Sequence, residues 1–464
     1  MPPAPKLDIL YRPFELCERE AAHSGGTLRF SRLLAVVLTV VIALLGVGAV
    51  GAGAQGSKPK ADDVGITDTE IRLAVIADVD TPIQPGLFQK SVDAMKAWAE
   101  VVNKAGGVAG RKVVIDHIDS KLNPNETRNA IIKACADDFA MVGGQALFLN
   151  NVDDMVACKN KAGEAIGLPD MPGNALDTTQ SCSPVSYVVT ALGAYCETKD
   201  QNPQTYTVQQ GDYLYYMKKH KDLHGIWTIP ADLKATKNAV MPTAEAGVDL
   251  GIEKDGQGFY DIFSRDPQSA MTPIVQTIKS NNSTFAKNGG NKMADLRKEA
   301  TLQGVNSVKV WACNQACYNN LLIEQGGADV DDTQVLLSTL PFYSEYKSNP
   351  TLKKLVAAAG GIENVDFNSV SALVAALLFQ DAAEKAVANG GTLSRQTLFD
   401  ALKQETAFDA DGIIGATNVA DKTPSPCIVM TQIKDGKFVR TYPKKVGTFD
   451  CNKKNVIDIE LDLS

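Results

Sequence analysis

Residues 71–118 read IRLAVIADVDTPIQPGLFQKSVDAMKAWAEVVNKAGGVAGRKVVIDHI, and this stretch decides the fold. Ile71 to Ala77 is a short, mostly apolar run, as expected of a strand covered on both faces. Phe88 to Ala105 then carries apolar residues at helical spacing until Gly106-Gly107 stops it. Lys112 to Ile118 reads as the next strand. A strand, a helix and a strand of these lengths make a parallel unit with the helix packed on one face of the sheet.

The same rhythm continues outward. Glu126 to Asp138 reads as a helix, Ala140 to Val142 as a strand ending in Gly143-Gly144, and Val152 to Ala162 as another helix. After Tyr187 to Thr190 it restarts, with a helix around Gln209 to Lys219 and then a strand from Gly225 to Ile229. Further strands are expected around Phe259 to Phe263, Ser283 to Ala286, Val308 to Cys313 and Val335 to Thr339. Helices over Ala235 to Ala246, Met271 to Ser280, Met293 to Gln303 and Cys317 to Gln325 alternate with them. Residues 369–388 and 394–404 add two helices, and Asp435-Gly436 marks a closing hairpin between Ile428 to Ile433 and Phe438 to Thr441. Two such series imply an α/β protein of two Rossmann-like lobes. The 464-residue length agrees, being more than one hydrophobic core usually serves.

Composition narrows the function. Hydrophobic residues at 44% with 22% charged describe an ordinary globular chain. A net charge of −8 disfavours nucleic acid and anionic membranes as partners. There is no Gly-x-Ser-x-Gly elbow, no phosphate-binding Gly-rich Lys motif and no His-Glu-x-x-His, so an enzyme is the weaker reading and no cofactor is expected. The histidines are His23, His117, His220 and His224; only the last two share helical spacing, and Asp222 between them would face away, so no metal site is expected.

Export is written at the N-terminus. Arg29 and Arg32 precede the apolar run Leu33 to Ala54, and Ala52-Gly53-Ala54 offers the small residues a signal peptidase reads. Residues 1–54 are therefore a signal peptide or a signal anchor, and residues 55–65 a flexible linker. Beyond them lie Cys135, Cys158, Cys182, Cys196, Cys313, Cys317, Cys427 and Cys451. An even number of cysteines in an exported chain points to disulfides. Of the many possible connectivities, bonding between sequence neighbours is the expectation.

Several stretches resemble a known family. Gly65-Ile66-Thr67-Asp68-Thr69-Glu70-Ile71-Arg72-Leu73, followed by Asn103-Lys104-Ala105-Gly106-Gly107-Val108-Ala109-Gly110-Arg111-Lys112, is similar to the opening of type I periplasmic binding proteins of the branched-chain amino acid group. Asp411-Gly412, Gly415, Pro424-Ser425-Pro426-Cys427 and Asp435-Gly436-Lys437-Phe438 resemble its C-terminal half. The resemblance implies two lobes joined by three crossings of the chain, with a ligand cleft between them. Residues 66–190 and 345–412 would form lobe 1, and residues 191–344 and 413–464 lobe 2. It also implies an extracytoplasmic monomer, secreted or tethered by its N-terminal segment. Such a protein captures an amino acid or related small solute and delivers it to an ABC-type permease; a membrane-anchored sensing ectodomain is the alternative.

Ligands of parallel sheets sit at the carboxyl ends of the strands. In lobe 1 these ends offer Gln84, Phe88, Gln145, Ala146 and Met171; in lobe 2 they offer Asp232, Asn288 and Asn314. Gln and Asn would hydrogen-bond a polar head, and Phe88 and Met171 would pack an apolar part. The loop Gly143-Gly144-Gln145-Ala146-Leu147 lacks the hydroxyl residues with which amino acid binders of this group hold the ligand carboxylate.

Overall fold

The computed structural model describes residues 60–81, 84–189, 196–290, 292–388 and 391–463. The apolar run Leu33 to Ala54 and the first part of the linker lie outside them. Among the described residues no helix is long and apolar enough to cross a membrane.

β1 (Glu70–Ala77) is buried without a break from Leu73 onward, which only a strand covered on both faces can be. β2 (Lys112–Asp119) pairs with it on one side and β3 (Ala140–Val142) on the other, and β4 (Asp170–Met171) adds to β3; all these pairings are parallel. The sheet order is therefore β2-β1-β3-β4. α1 (Gln89–Lys104) and α2 (Pro124–Asp137) make the crossovers. The expected helix Val152 to Ala162 is cut to α3 (Asp153–Val156). There the chain turns, because Cys158 is bonded to Cys135 and Lys159 bridges back to Ala165. α4 (Thr178–Ser181) follows β4, with Asp177 accepting a hydrogen bond from the Thr179 N–H as its cap.

The polar stretch after Thr198 becomes β5 (Gln204–Gln209), which leads into α5 (Gly211–Lys219). Then come β6 (His224–Pro230), α6 (Lys234–Asp249), β7 (Glu253–Ile262), α7 (Thr272–Asn281), β8 (Phe285–Asn288), α8 (Met293–Leu302) and β9 (Val310–Cys313). In place of one helix from Cys317, a 3-10 turn at Gln315–Cys317 precedes α9 (Asn320–Gly326), since Asn314 and Asn319 each cap a separate turn. β10 (Gln334–Leu337) completes the parallel part, and β11 (Val429–Lys434) and β12 (Lys437–Tyr442) close it antiparallel. Asp435 and Gly436 both hold positive φ in the tight turn between those two strands. The second sheet thus runs β12-β11-β10-β9-β8-β6-β7. β13 (Val456–Leu461) pairs antiparallel with β5, and this ribbon packs Tyr206, Val208 and Ile459 against Ala246 of α6.

Between β10 and β11 the chain returns to the first sheet through α10 (Phe342–Glu345), α11 (Pro350–Ala358), α12 (Phe367–Val387) and α13 (Arg395–Leu402). α12 is apolar nearly all round and correspondingly buried, and Phe379 sets its ring edge-on to Trp98 of α1 and Phe139 at 6.4 Å each. Arg395, fully buried at the start of α13, donates to the carbonyls of Phe139, Lys159, Cys135 and Asp138 at 2.6–3.1 Å and so ties α13 to the loop between α2 and β3. The outgoing and returning passages run side by side, with the Leu340 N–H donating to the Ile413 carbonyl at 2.8 Å.

Disulfides join Cys135 to Cys158, Cys182 to Cys196, Cys313 to Cys317 and Cys427 to Cys451. The last crosses directly over Gly415, where a Cβ would stand 2.2 Å from that of Cys427, so no other residue fits there.

Candidate functional site

Each sheet has a point where successive strands are added on opposite sides of a central one. In the first sheet that strand is β1, flanked by β2 and β3; in the second it is β6, flanked by β7 and β8. The loops leaving such strands diverge and open a crevice. One cavity of about 1170 Å³ is lined by loops from both crevices. Gln84, Leu87, Phe88, Leu147 and Asn174 reach it from the first sheet, and Pro230, Asp232, Gly289, Gly290 and Asn314 from the second. Asp366, Phe367 and Asn368, at the capped start of α12, complete the wall.

Asp78 builds the first crevice. It follows β1 directly, is fully buried, and accepts hydrogen bonds from Ser120 Oγ and the Leu122 N–H at 2.7 Å and from the Leu147 N–H at 2.8 Å. One carboxylate thus holds the loops after β1, β2 and β3 together. Asp119 works beside it: burial would raise its carboxyl, but N–H donors from Val79, Lys121 and Asp80 hold it below the ordinary range.

The expected contact residues divide into two groups. Gln84, Phe88, Asp232 and Asn314 lie on the cavity wall. Asp232 accepts from the Ser264 N–H at 3.0 Å and Oγ at 2.8 Å, and Asn314 donates to the Gly289 carbonyl at 2.6 Å while accepting from the Ala316 N–H at 3.0 Å. Gln145, Ala146, Met171 and Asn288 are not on the wall. Met171 is wholly buried in β4, and Ala146 packs against the core. Asn288 shapes its own loop, donating to Thr228 Oγ1 at 2.8 Å and accepting from the Gly290 N–H at 2.9 Å. Gln145 is 2% exposed, and neither side-chain polar atom has a hydrogen-bond partner.

Sequence reasoning named none of the apolar residues that the second body adds to the lining. These include Tyr213, Trp227, Ile229, Val240, Leu336 and Ile428. Beside them Lys287 of β8 meets Asp212 of α5 at 2.6 Å and lies 4.0 Å over the Tyr213 ring. Burial pushes the Lys287 ammonium down, but Asp212 and Tyr213 more than offset this and hold it above its ordinary value. The strand expected over Ser283 to Ala286 stops short of Lys287, which the structure sets between Trp227 and Ala312 in the sheet register, where a charge needs a buried partner.

Two charges influence each other where the returning chain passes the first sheet. Asp170, fully buried, is raised to about 6 by burial, although Gln180 and Ser186 donate to it at 3.0 and 2.8 Å. Burial lowers Lys422, in the returning segment, to about 8 against the opposing pull of Asp170. Lys422 also donates to the Ser183 carbonyl.

The comparisons with known proteins agree with this architecture. The family described as periplasmic binding protein matches residues 70–437. The chain belongs to that family. Its members are solute-binding proteins and its location is extracytoplasmic. Among solved structures, a fatty acid ABC transporter substrate-binding protein from Thermomonospora curvata has 19% identity and a TM-score of 0.62, over 84% of this chain and 98% of its own. A leucine-binding protein from Thermotoga maritima has 16% identity and a TM-score of 0.58, over 80% and 97%. A substrate-binding protein from Aeropyrum pernix has 13% identity and a TM-score of 0.63, over 83% and 97%. At these identities the likeness is one of fold: two lobes joined by three crossings, with the cleft between them. The comparison with curated proteins gives no match.

Proposed function

We propose that this periplasmic binding protein captures a small solute between its lobes and hands it, chemically unchanged, to an ABC-type permease. The observation that carries the reading is the single cavity of about 1170 Å³ built from the strand ends of both sheets. A solute bound there touches both lobes at once, so closing the lobes around it is favoured by contacts the open form lacks. On the wall, Asp232 and Asn314 bond neighbouring backbone, which fixes their orientation toward a solute. Gln84, Phe88, Asp232 and Asn314 are proposed as ligand contacts, residues 1–54 as the signal peptide or signal anchor, and the working unit as a monomer.

The test is a thermal-shift screen of the chain against amino acids, amides, polyamines, sugars and carboxylic acids, with product analysis of every hit. A solute at about a hundred times its dissociation constant adds about 2.7 kcal/mol to the folded state. A hit recovered unchanged, with a smaller radius of gyration in solution scattering, is the expected result. Turnover of the hit, or no binding across the panel, would overturn the proposal.

A further inference from the structure

The second sheet has ends that do not face the cleft. Asn314, just after β9, lies on the cleft wall, whereas Lys309, just before β9, stands about 16 Å back along the strand. At that amino end lies a separate pocket of about 500 Å³. It is lined by Lys219 and His220 at the end of α5, Arg297 of α8, Lys309, Trp311 of β9 and Asp332 before β10. Three permanent cations thus face one carboxylate. Among the described residues none of the three is ion-paired: Lys219 donates to the Tyr215 hydroxyl at 2.5 Å and Arg297 to the Asp331 carbonyl at 3.0 Å, both uncharged acceptors.

Arg297 is the centre of the group. Its guanidinium carbon lies 4.6 Å over the Trp311 ring, which fixes its plane, and its Nη1 is buried without a hydrogen-bond partner. A buried donor left unpaired is costly unless something bound nearby accepts from it. Burial lowers the Arg297 guanidinium to about 10 against the upward pull of Asp332, Asp329 and Asp331, so these carboxylates compensate its charge only in part. Asp332 is also engaged elsewhere, since its Oδ1 accepts from Gln432 Nε2 at 2.9 Å. Burial lowers the His220 imidazole too, and the Lys309 and Lys219 ammoniums add to the effect, which places all three groups in one field.

We infer that this pocket is a second binding site, distinct from the cleft, and that it takes a phosphate group, as the free ion or on a small ester. Three cations less the Asp332 carboxylate leave two positive charges on the lining, which a dianion balances. The Arg297 side chain as a whole is only half-buried, so its forked donors can turn to phosphate oxygens, and exposed Lys309 adds a mobile ammonium. A volume of about 500 Å³ falls within the roughly 300–1,000 Å³ of small-molecule sites and leaves room for the organic part of an ester.

Inorganic phosphate and glycerol 1-phosphate are the probes, titrated calorimetrically at low salt against the full chain, Arg297→Gln and Lys309→Glu, with acetate as the singly charged comparison. Urea midpoints check that each variant folds; Lys309 is exposed, so its variant carries the test should Arg297→Gln unfold. Saturable phosphate binding with a dissociation constant of about 1 mM or below is expected, weakened at least about tenfold in either variant. A preference for the ester over the free ion identifies the ester as the ligand, and equal binding identifies the ion. No saturable binding of either probe, binding that neither variant weakens, or acetate bound as tightly as phosphate would overturn the inference. The solute-receptor reading stands apart from all of these outcomes.

Discussion

Replacing Lys287 with Met is expected to lower the unfolding free energy by about 3–5 kcal/mol, and replacing Asp212 with Asn in the same chain should recover most of it. The two charges are 2.6 Å apart, with side chains 6% and 0% exposed. At that separation their attraction is about 6 kcal/mol in an effective dielectric of about 20, and desolvating both ions offsets most of it. The pair as a whole therefore contributes little, whereas breaking it strands a buried carboxylate. Asp212 Oδ1 has no hydrogen-bond partner, so Lys287 provides the main compensation that carboxylate has. Because the folded-state pKa of Lys287 is raised, its contribution is complete below the ordinary 10.5 and fades as pH climbs through the higher folded value. Urea unfolding of the parent, both single variants and the double variant at pH 7 gives the coupling energy directly. A Lys287→Met chain within about 1 kcal/mol of the parent, or a double variant no more stable than the worse single one, would refute the reasoning.

Three further outcomes follow from the packing. Asp78→Ala leaves two N–H groups and a hydroxyl without their acceptor; it should cost about 2–4 kcal/mol in urea melts and weaken binding of any cleft ligand through disordered loops. Unchanged affinity in the folded variant would remove Asp78 from the support of the site. Arg395→Met deprives four carbonyls of their donor and should cost about 3–5 kcal/mol, whereas a loss below about 1 kcal/mol would show that these bonds are dispensable. Asp138 is raised to about 7 by burial with the nearby Asp116 charge, and neither oxygen has a hydrogen-bond partner. The folded state then holds a proton that the unfolded chain releases near 3.8, so this group's contribution to stability falls as pH rises between those values. Unfolding midpoints from pH 4 to 8 should slope less in Asp138→Asn, with Asp170, raised to about 6, still sloping in the same direction; an unaltered slope would contradict the assignment.

The first sheet was legible because its signals are local: β1, α1 and β2 follow one another within a single apolar rhythm that ends at glycines. β5 was not, because the residues that make it a strand belong to β13 at the other end of the chain. The helix expected from Val152 stopped early because the Cys135–Cys158 bond and the Lys159–Ala165 bridge compete with helical hydrogen bonds, and apolar spacing records neither. In the site, Gln84, Phe88, Asp232 and Asn314 were reachable from the rule that ligands meet strand ends. Gln145 and Met171 obey the same rule yet point inward, since the sequence does not say which loop residues turn back into the core.

The β5–β13 ribbon has a consequence for the order in which the molecule can be made. Thr207 Oγ1 donates to Asp458 at 2.6 Å across 251 residues of chain, so the ribbon of the second body stays incomplete until β13 has been made. The first body likewise waits for α12, which follows the whole of the second body's parallel sheet. Neither lobe is made from one uninterrupted stretch of chain. Contacts this distant in sequence slow folding. Until β13 is made, β5 has no strand partner and the ribbon over Ala246 cannot form, although β5 itself was made more than two hundred residues earlier.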